Sequence, residues 1–313
     1  MDFFLRALVS RAEQLDRSQD LRAENLLVSV AMAIFATIFV FLRFFPRYLS
    51  LEAMRECPPS DNWVMVLAWL ALMGHMIMNI LLVDKGMGLH ANMVPSDSLQ
   101  ALSNVCLGAE IFYFAGITLF RSAILLFYKR VWEDREFRTW GFTIATISAA
   151  WTIGCSLSAI FLPECYPAER LWMPSVEGDC TNLVARQFYI PIPDVLCSLA
   201  VFSLPIPRLL KLHIDGYQKF MLLVALLVGL CSVGSGFYHF WVLLKFTPTD
   251  MSYTLADVYT WRVIELFCGI VAGSLPVLVS KVLFCHFLTP PTAPTPPRAT
   301  AMFMPTSDPK SIC

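Results

Sequence analysis

Residues 26–45 read LLVSVAMAIFATIFVFLRFF, and Arg43, near the end of the run, is its one charge. A helix needs about 20 apolar residues at about 1.5 Å each to cross the hydrocarbon core of a bilayer. The stretch therefore predicts a membrane-spanning helix. Further windows of the same kind follow near 63–83, 101–128, 139–162, 187–210, 219–245 and 257–281. Together they predict an all-α fold: a polytopic bundle of seven transmembrane helices. The fifth window is the least regular, because Pro191, Pro193, Pro205 and Pro207 interrupt it. Membrane helices tolerate proline where neighbours or water satisfy the freed carbonyls, and Pro276 is expected to kink the seventh.

Composition agrees. Of 313 residues, 57% are hydrophobic and 15% charged, with a mean hydropathy of +0.62. Soluble domains carry about a quarter charged residues. A net charge of −1 gives no electrostatic case for nucleic acid as a partner. Residues 1–25 alternate Arg6, Arg11, Arg17 and Arg22 with five acids and lack the apolar core of a cleavable signal; they read as an amphipathic or flexible segment. The membrane domain covers 26–285. Residues 286–313 include TPPTAPTPPRAT and read as a disordered, Pro-rich cytoplasmic tail.

Orientation follows from the loop cations. Arg43, Arg47, Arg55, Lys129, Arg130, Arg135, Arg138, Arg208, Lys211 and Lys219 flank the connections after spans one, three and five. Those after spans two, four and six hold Lys85, Arg170, Arg186 and Lys245. An N-terminus outside or in a lumen and a cytoplasmic C-terminus are expected, in a plasma or internal membrane.

Several strings carry more information. GMGLH (86–90) follows the second span, RSAILLFYKRVW (121–132) ends the third, and DVLCSLAVFSLPIPRLLKL (194–212) forms the fifth. YTWRVIELFCGIVAGSLPVL (259–278) lies in the seventh. In this order they resemble the fungal rhodopsin-domain family of integral membrane proteins, over about residues 26–285. That family includes Pth-type receptor-like proteins and membrane proteins encoded in mycotoxin gene clusters. The resemblance implies a seven-helix receptor-like or accessory protein of secondary metabolism. Retinal is not expected as a partner, because the seventh span has no lysine before Lys281, at its cytoplasmic end. Family members typically carry Lys where this chain has Arg121, and often Arg where it has His239. Arg121 is expected to snorkel to the cytoplasmic headgroups, whereas His239 places a titratable group at its position.

Ionisable groups inside a membrane are costly and face a cavity or a partner. Placed by depth, His75, Asn79, Glu110, Asp194, His239, Arg262 and Glu265 all fall in the outer half of the bundle, on five helices. Their agreement in depth predicts a hydrated pocket open to the non-cytoplasmic side. Less specific readings stand beside it. Arg262 and Glu265 are three apart and can pair with each other, Asp194 can act as a cap behind Pro193, and His75 can be a helix-to-helix hydrogen bond. Trp241 is a further ligand-binding candidate at similar depth. Aromatics there, Tyr113 and Tyr259 among them, divide between pocket walls and the interfacial belt.

Most of the ten cysteines lie within spans as small packing residues. Cys165 and Cys180 share one loop in a compartment that permits oxidation and are expected to form a disulfide, with Cys106 as the competing partner for Cys180. No metal, nucleotide or nucleophile signature occurs, so no metal site and no cofactor are expected. Gly229, Gly234 and Gly236 form a small-residue face.

Two functions fit. In the first, a lipophilic small molecule binds in the polar outer half and a cytoplasmic signalling partner reads the change. In the second, Glu110, Asp194 and Glu265 act as acids and bases on a lipophilic intermediate, as a cofactor-free cyclase or isomerase.

Overall fold

The computed structural model describes residues 20–48, 60–90, 93–131, 134–161, 165–166, 177, 179–180, 189–207, 216–245 and 251–287. Seven long helices fill these segments: α1 (Arg22–Tyr48), α2 (Ser60–Asp84), α3 (Ser96–Val131), α4 (Arg135–Phe161), α5 (Pro191–Ser203), α6 (Gly216–Leu244) and α7 (Met251–Phe287). Six of them are long and apolar enough to cross a membrane. Large apolar side chains such as Leu27, Phe41, Phe142 and Phe161 stand on the outside of the bundle. In a bilayer that face is solvated by lipid. The amphipathic segment and the Pro-rich tail expected at the two ends fall almost wholly outside the described residues.

The fifth element differs from expectation. The window 187–210, interrupted by four prolines, was expected to hold one span, but α5 has 13 residues, about 20 Å of helix. Proline explains both ends. Pro191 and Pro193 sit in the first turn, where a missing N–H costs nothing. At the other end Leu204 keeps helical angles (φ −54°, ψ −43°), but Pro205 and Pro207 have no N–H to return to Val201 O and Ser203 O. The chain turns there, with the Leu204 N–H still donating to Ala200 O at 3.2 Å.

α3 and α7 form the centre. Their apolar windows are 61% and 67% buried, against 17% for α4 at the periphery. Both run in the same direction, so matching turns meet along their length. Leu266 reaches Gly116, Phe120 packs on Gly269 and Ile124 on Gly273. α7 continues through Pro276 without ending. α2 packs antiparallel to α3, with Phe112 against Gly74 and Met78 against Gly108.

The GMGLH string has a structural reason. Gly86 and Gly88 have φ of 104° and 95°, a left-handed backbone that suits glycine. Gly88 N–H donates to Ser252 O (2.9 Å), and Leu21 N–H donates to Gly88 O (3.3 Å). Ser252 Oγ donates to Leu89 O at 2.7 Å. This one turn ties the start of α1, the end of α2 and the start of α7 together. At the start of α1 the Asp20 carboxylate accepts from Arg22 N–H (3.0 Å) and Arg22 Nε (2.9 Å). Those bonds hold the Asp20 carboxyl below the usual range.

Between α4 and α5, Cys165–Tyr166 and Asp179–Cys180 form a two-residue antiparallel ladder in which Cys165 faces Cys180.

Candidate functional site

Buried polar side chains are stacked along the bundle in three groups, each joining different helices. At the end of the bundle where α1 closes and α2 begins, Arg43 is fully buried. Its Nη2 donates to Asp61 Oδ2 (2.7 Å), its Nε to Asn62 Oδ1 (2.8 Å) and its Nη1 to Gly273 O (2.6 Å). Arg130 Nη1 donates to the other Asp61 oxygen at 2.8 Å. Arg43 therefore lies within α1 and locks α1, α2, α3 and α7, whereas the loop reading left it solvated.

The second group corrects two expectations. Arg121 does not snorkel: it is 1% exposed. Its Nη1 and Nη2 donate to the two Asp194 oxygens at 2.8 and 2.9 Å, and Nη2 also donates to Asp194 O and Ser198 Oγ. Nη1 reaches Ser148 Oγ at 3.3 Å. A bidentate carboxylate pair with further hydrogen bonds is the geometry in which a buried charge is tolerated. Asp194 caps nothing; the α5 cap position is Ile190, which makes no side-chain cap bond. Along α3, Arg121 lies about 16 Å beyond Glu110 at about 1.5 Å per residue. Asp194 thus belongs to a separate pair and does not join the outer residues.

The third group gathers His75, Glu110, His239, Arg262 and Glu265 with Tyr113 and Tyr259. Arg262 and Glu265 do not pair with each other. Arg262 Nη2 lies 3.5 Å from Glu110 Oε1 on α3, and its Nε donates to His239 Nε2 on α6 at 3.4 Å. Its guanidinium carbon sits 4.9 Å from the Tyr113 ring centroid and 5.0 Å from that of Tyr259, a two-sided cation–π contact. Tyr113 Oη donates to Glu265 Oε2 at 2.8 Å. His239 Nδ1 is 3.4 Å from that hydroxyl and 3.6 Å from Glu265 Oε2. Because Nε2 accepts from Arg262, the neutral His239 ring carries its proton on Nδ1, facing Tyr113 and Glu265. Gly236 makes room for this arrangement, since a Cβ there would lie 2.9 Å from Glu265 Oε1.

His75 closes the α2 side. Its ring stacks on Tyr259 at 5.7 Å and 8° and tilts against Tyr113 at 6.0 Å. Its Nδ1 donates to Ala109 O at 2.9 Å. One turn further out, Asn79 Nδ2 donates to Ser29 Oγ at 2.8 Å. Asn25 Nδ2 reaches Ala256 O and Thr260 Oγ1. Four of the proposed ligand-binding residues, His75, Asn79, His239 and Arg262, therefore lie in or beside one buried cluster.

Trp241 does not. It is 47% exposed, with Lys245 Nζ 3.4 Å above its ring and Tyr238 packed beside it. That is the arrangement of an interfacial belt. The Arg121–Asp194 pair and the Arg43–Asp61–Arg130 knot were missed. The available signal was an opposite charge within another span, as with Arg121 in the third and Asp194 in the fifth, or just ahead of one, as with Asp61. Among the described residues no group of three or more His, Cys, Asp or Glu could hold a metal ion.

The family model for the fungal rhodopsin domain matches residues 42–283. The chain belongs to the fungal rhodopsin domain family. The match takes in α2 to α6 whole, most of α7 and the end of α1 from Leu42, so the Arg262 cluster and the Arg43 knot both lie inside the domain. No curated protein and no solved structure matches the chain.

Proposed function

We propose that this fungal rhodopsin-domain protein is a receptor-like or accessory membrane protein of fungal secondary metabolism. It binds a lipophilic small molecule at the outer-half cluster, with its N-terminus outside or luminal and its C-terminus in the cytoplasm. The observation that carries this reading is the position of Arg262. One guanidinium on α7 contacts Glu110 on α3, His239 on α6 and two aromatic faces. A ligand that competes for any of these contacts changes how α6 and α7 sit against α3. Such differential contact is what a two-state device requires.

The enzyme reading has less support. It needs carboxyls with room to donate a proton. Asp194 has both oxygens taken by Arg121, Glu110 faces Arg262 and Glu265 already accepts from Tyr113. Glu265 is the one of the three with a neutral hydroxyl donor and a histidine together, so any acid–base chemistry would centre there.

The test is a deletion strain complemented with wild type or with Glu110→Gln, profiled for metabolites and pathway transcripts. Sensing expects loss of transcripts without a new intermediate. Accumulation of one defined intermediate with transcripts unchanged would contradict it and favour the enzyme.

The lumen-side ladder supports a Cys165–Cys180 disulfide as part of the same proposal. Residues directly opposite in an antiparallel pair have Cα atoms about 4.5–5.5 Å apart, within the span a disulfide bridges.

A further inference from the structure

Three buried polar atoms near the Arg262 cluster have no hydrogen-bond partner among the described residues: His75 Nε2, Asn79 Oδ1 and Arg262 Nη1. Their chemistry is fixed by what the other atoms of each side chain do. His75 Nδ1 faces the Ala109 carbonyl, which can only accept, so Nδ1 carries the proton and Nε2 of the neutral ring presents a lone pair. Asn79 Nδ2 donates to Ser29 Oγ, so Asn79 Oδ1 is the amide's acceptor end. Arg262 Nη1 can only donate. His75 and Asn79 are fully buried and Arg262 is 8% exposed. An unmet buried donor or acceptor costs about 1–3 kcal/mol; four more such atoms occur among the described residues, on Asn25, Asn62, Arg121 and Trp151, and the three named here are those of His75, Asn79 and Arg262.

The orphan atoms are grouped. His75 and Asn79 lie one turn apart on α2. His75 and Arg262 both pack against the same two rings, Tyr113 and Tyr259. One acceptor and one donor thus border a single aromatic pair, with the Asn79 acceptor one turn along α2 from His75. Charge narrows the occupant. One guanidinium already faces the Glu110 carboxylate, with Glu265 on the next turn. An anion would add a further negative charge, and a cation would meet Arg262. The complement of this site is uncharged.

We propose that the His75–Asn79–Arg262 triad binds a neutral oxygenated lipophile through a carbonyl-type oxygen and a neighbouring hydroxyl. The carbonyl oxygen accepts from Arg262 Nη1. The hydroxyl donates to His75 Nε2 or Asn79 Oδ1. The inference rests on the ligand-binding reading above and names the chemical class of the ligand. It also assigns α2 a part in recognition, which the Arg262 contacts alone do not. Internal water is the other way to satisfy these atoms, and the experiment separates the two.

The full chain, purified in detergent, is titrated with a nine-carbon β-hydroxyketone, nonanone, nonanol and nonane, and binding is read by ligand-observed NMR. The expected order is hydroxyketone tightest, each single-function compound about tenfold weaker, from one lost hydrogen bond to a buried site, and nonane weakest. His75→Phe combined with Asn79→Leu keeps an aromatic ring on Tyr259 but removes both acceptors; it is expected to reduce the preference for hydroxyketone over ketone to below twofold. Equal binding of all four compounds by the wild type overturns the inference, whether or not the variant folds. So does a high-resolution map with waters on all three atoms that the hydroxyketone does not displace. The deletion strain reports separately. A hydroxyketone preference beside an accumulated intermediate leaves the site standing and removes the receptor reading. Transcript loss with no preference among the four removes this inference alone.

Discussion

Arg262 and Glu265 lie one turn apart on α7, yet they reach different partners: Arg262 meets Glu110 at 3.5 Å, and Glu265 accepts from Tyr113 Oη at 2.8 Å. An i,i+3 pair between them would have tied α7 only to itself. Directed outward, the same two charges fasten α7 to α3, and His239 brings in α6. A polar network that spans helices fixes their rotation as well as their distance, which apolar packing against lipid-solvated neighbours does weakly.

The Arg121–Asp194 pair should behave as a unit. Arg121→Leu or Asp194→Leu alone leaves a buried charge without its counterion, and each should cost about 3–5 kcal/mol. The double substitution removes both charges and should recover much of that loss. Thermal unfolding of the purified single and double variants checks this. Additive losses in the double variant would contradict the pairing.

Arg121→Lys should also weaken the fold, since a lysine cannot reproduce the bidentate contact and the bond to Ser198 together. A melting temperature indistinguishable from wild type would show that the fork geometry does not matter.

Gly88→Ala should destabilise by about 1–2 kcal/mol or more. The position has φ +95°, and a Cβ there would lie 3.0 Å from the Arg22 backbone nitrogen. Amide hydrogen exchange at Leu21 and at position 88 itself should rise in the variant, because these two N–H groups donate across the turn. Unchanged exchange there would mean the turn does not join the helix ends.

Trp241→Ala should leave probe binding at the outer cluster within about twofold, whereas Tyr259→Ala should lower it by at least tenfold, an aromatic face being worth about 1 kcal/mol or more. Titration of the two variants against the same hydroxyketone distinguishes belt from site. A larger loss from Trp241→Ala would move the site to the lipid face.

These contrasts show what the sequence carried. Span number was legible because lipid leaves the backbone few options: each crossing must be a long apolar helix, and 26–45 announces one by composition alone. Depth was legible in part: rise per residue brought His75, Glu110, His239, Arg262 and Glu265 to one level, but it grouped with them Asp194, which meets Arg121 instead. The face of each helix was not. His239 and Trp241 are two residues apart and share a depth, but at 3.6 residues per turn they point about 200° apart; one is buried and the other exposed. In α6 apolar residues occupy every side, so no periodicity tells lipid from core. Partner choice was hidden too. Asp194 could be placed near an outer helix end, but only packing reveals that α5 brings it to Arg121. The end of α5 was readable in retrospect from Pro205 and Pro207, which remove two N–H donors from the helical ladder.

The disulfide prediction is independent of the cluster. Intact mass before and after reduction with alkylation should report one bridge, with Cys165 and Cys180 as its members in the digested peptides. Pairing of Cys180 with Cys106 would contradict the register of the ladder.

The central claim is that Arg262 works between helices, and a pair of double-mutant cycles tests it most directly. Stabilities of Arg262→Gln, Glu110→Gln and Glu265→Gln are measured singly and in the two combinations with Arg262. The account expects a coupling of about 0.5–3 kcal/mol between Arg262 and Glu110, and a smaller one between Arg262 and Glu265. A dominant Arg262–Glu265 coupling, with none to Glu110, would show that the two charges pair along α7, and the proposed site would lose its anchor.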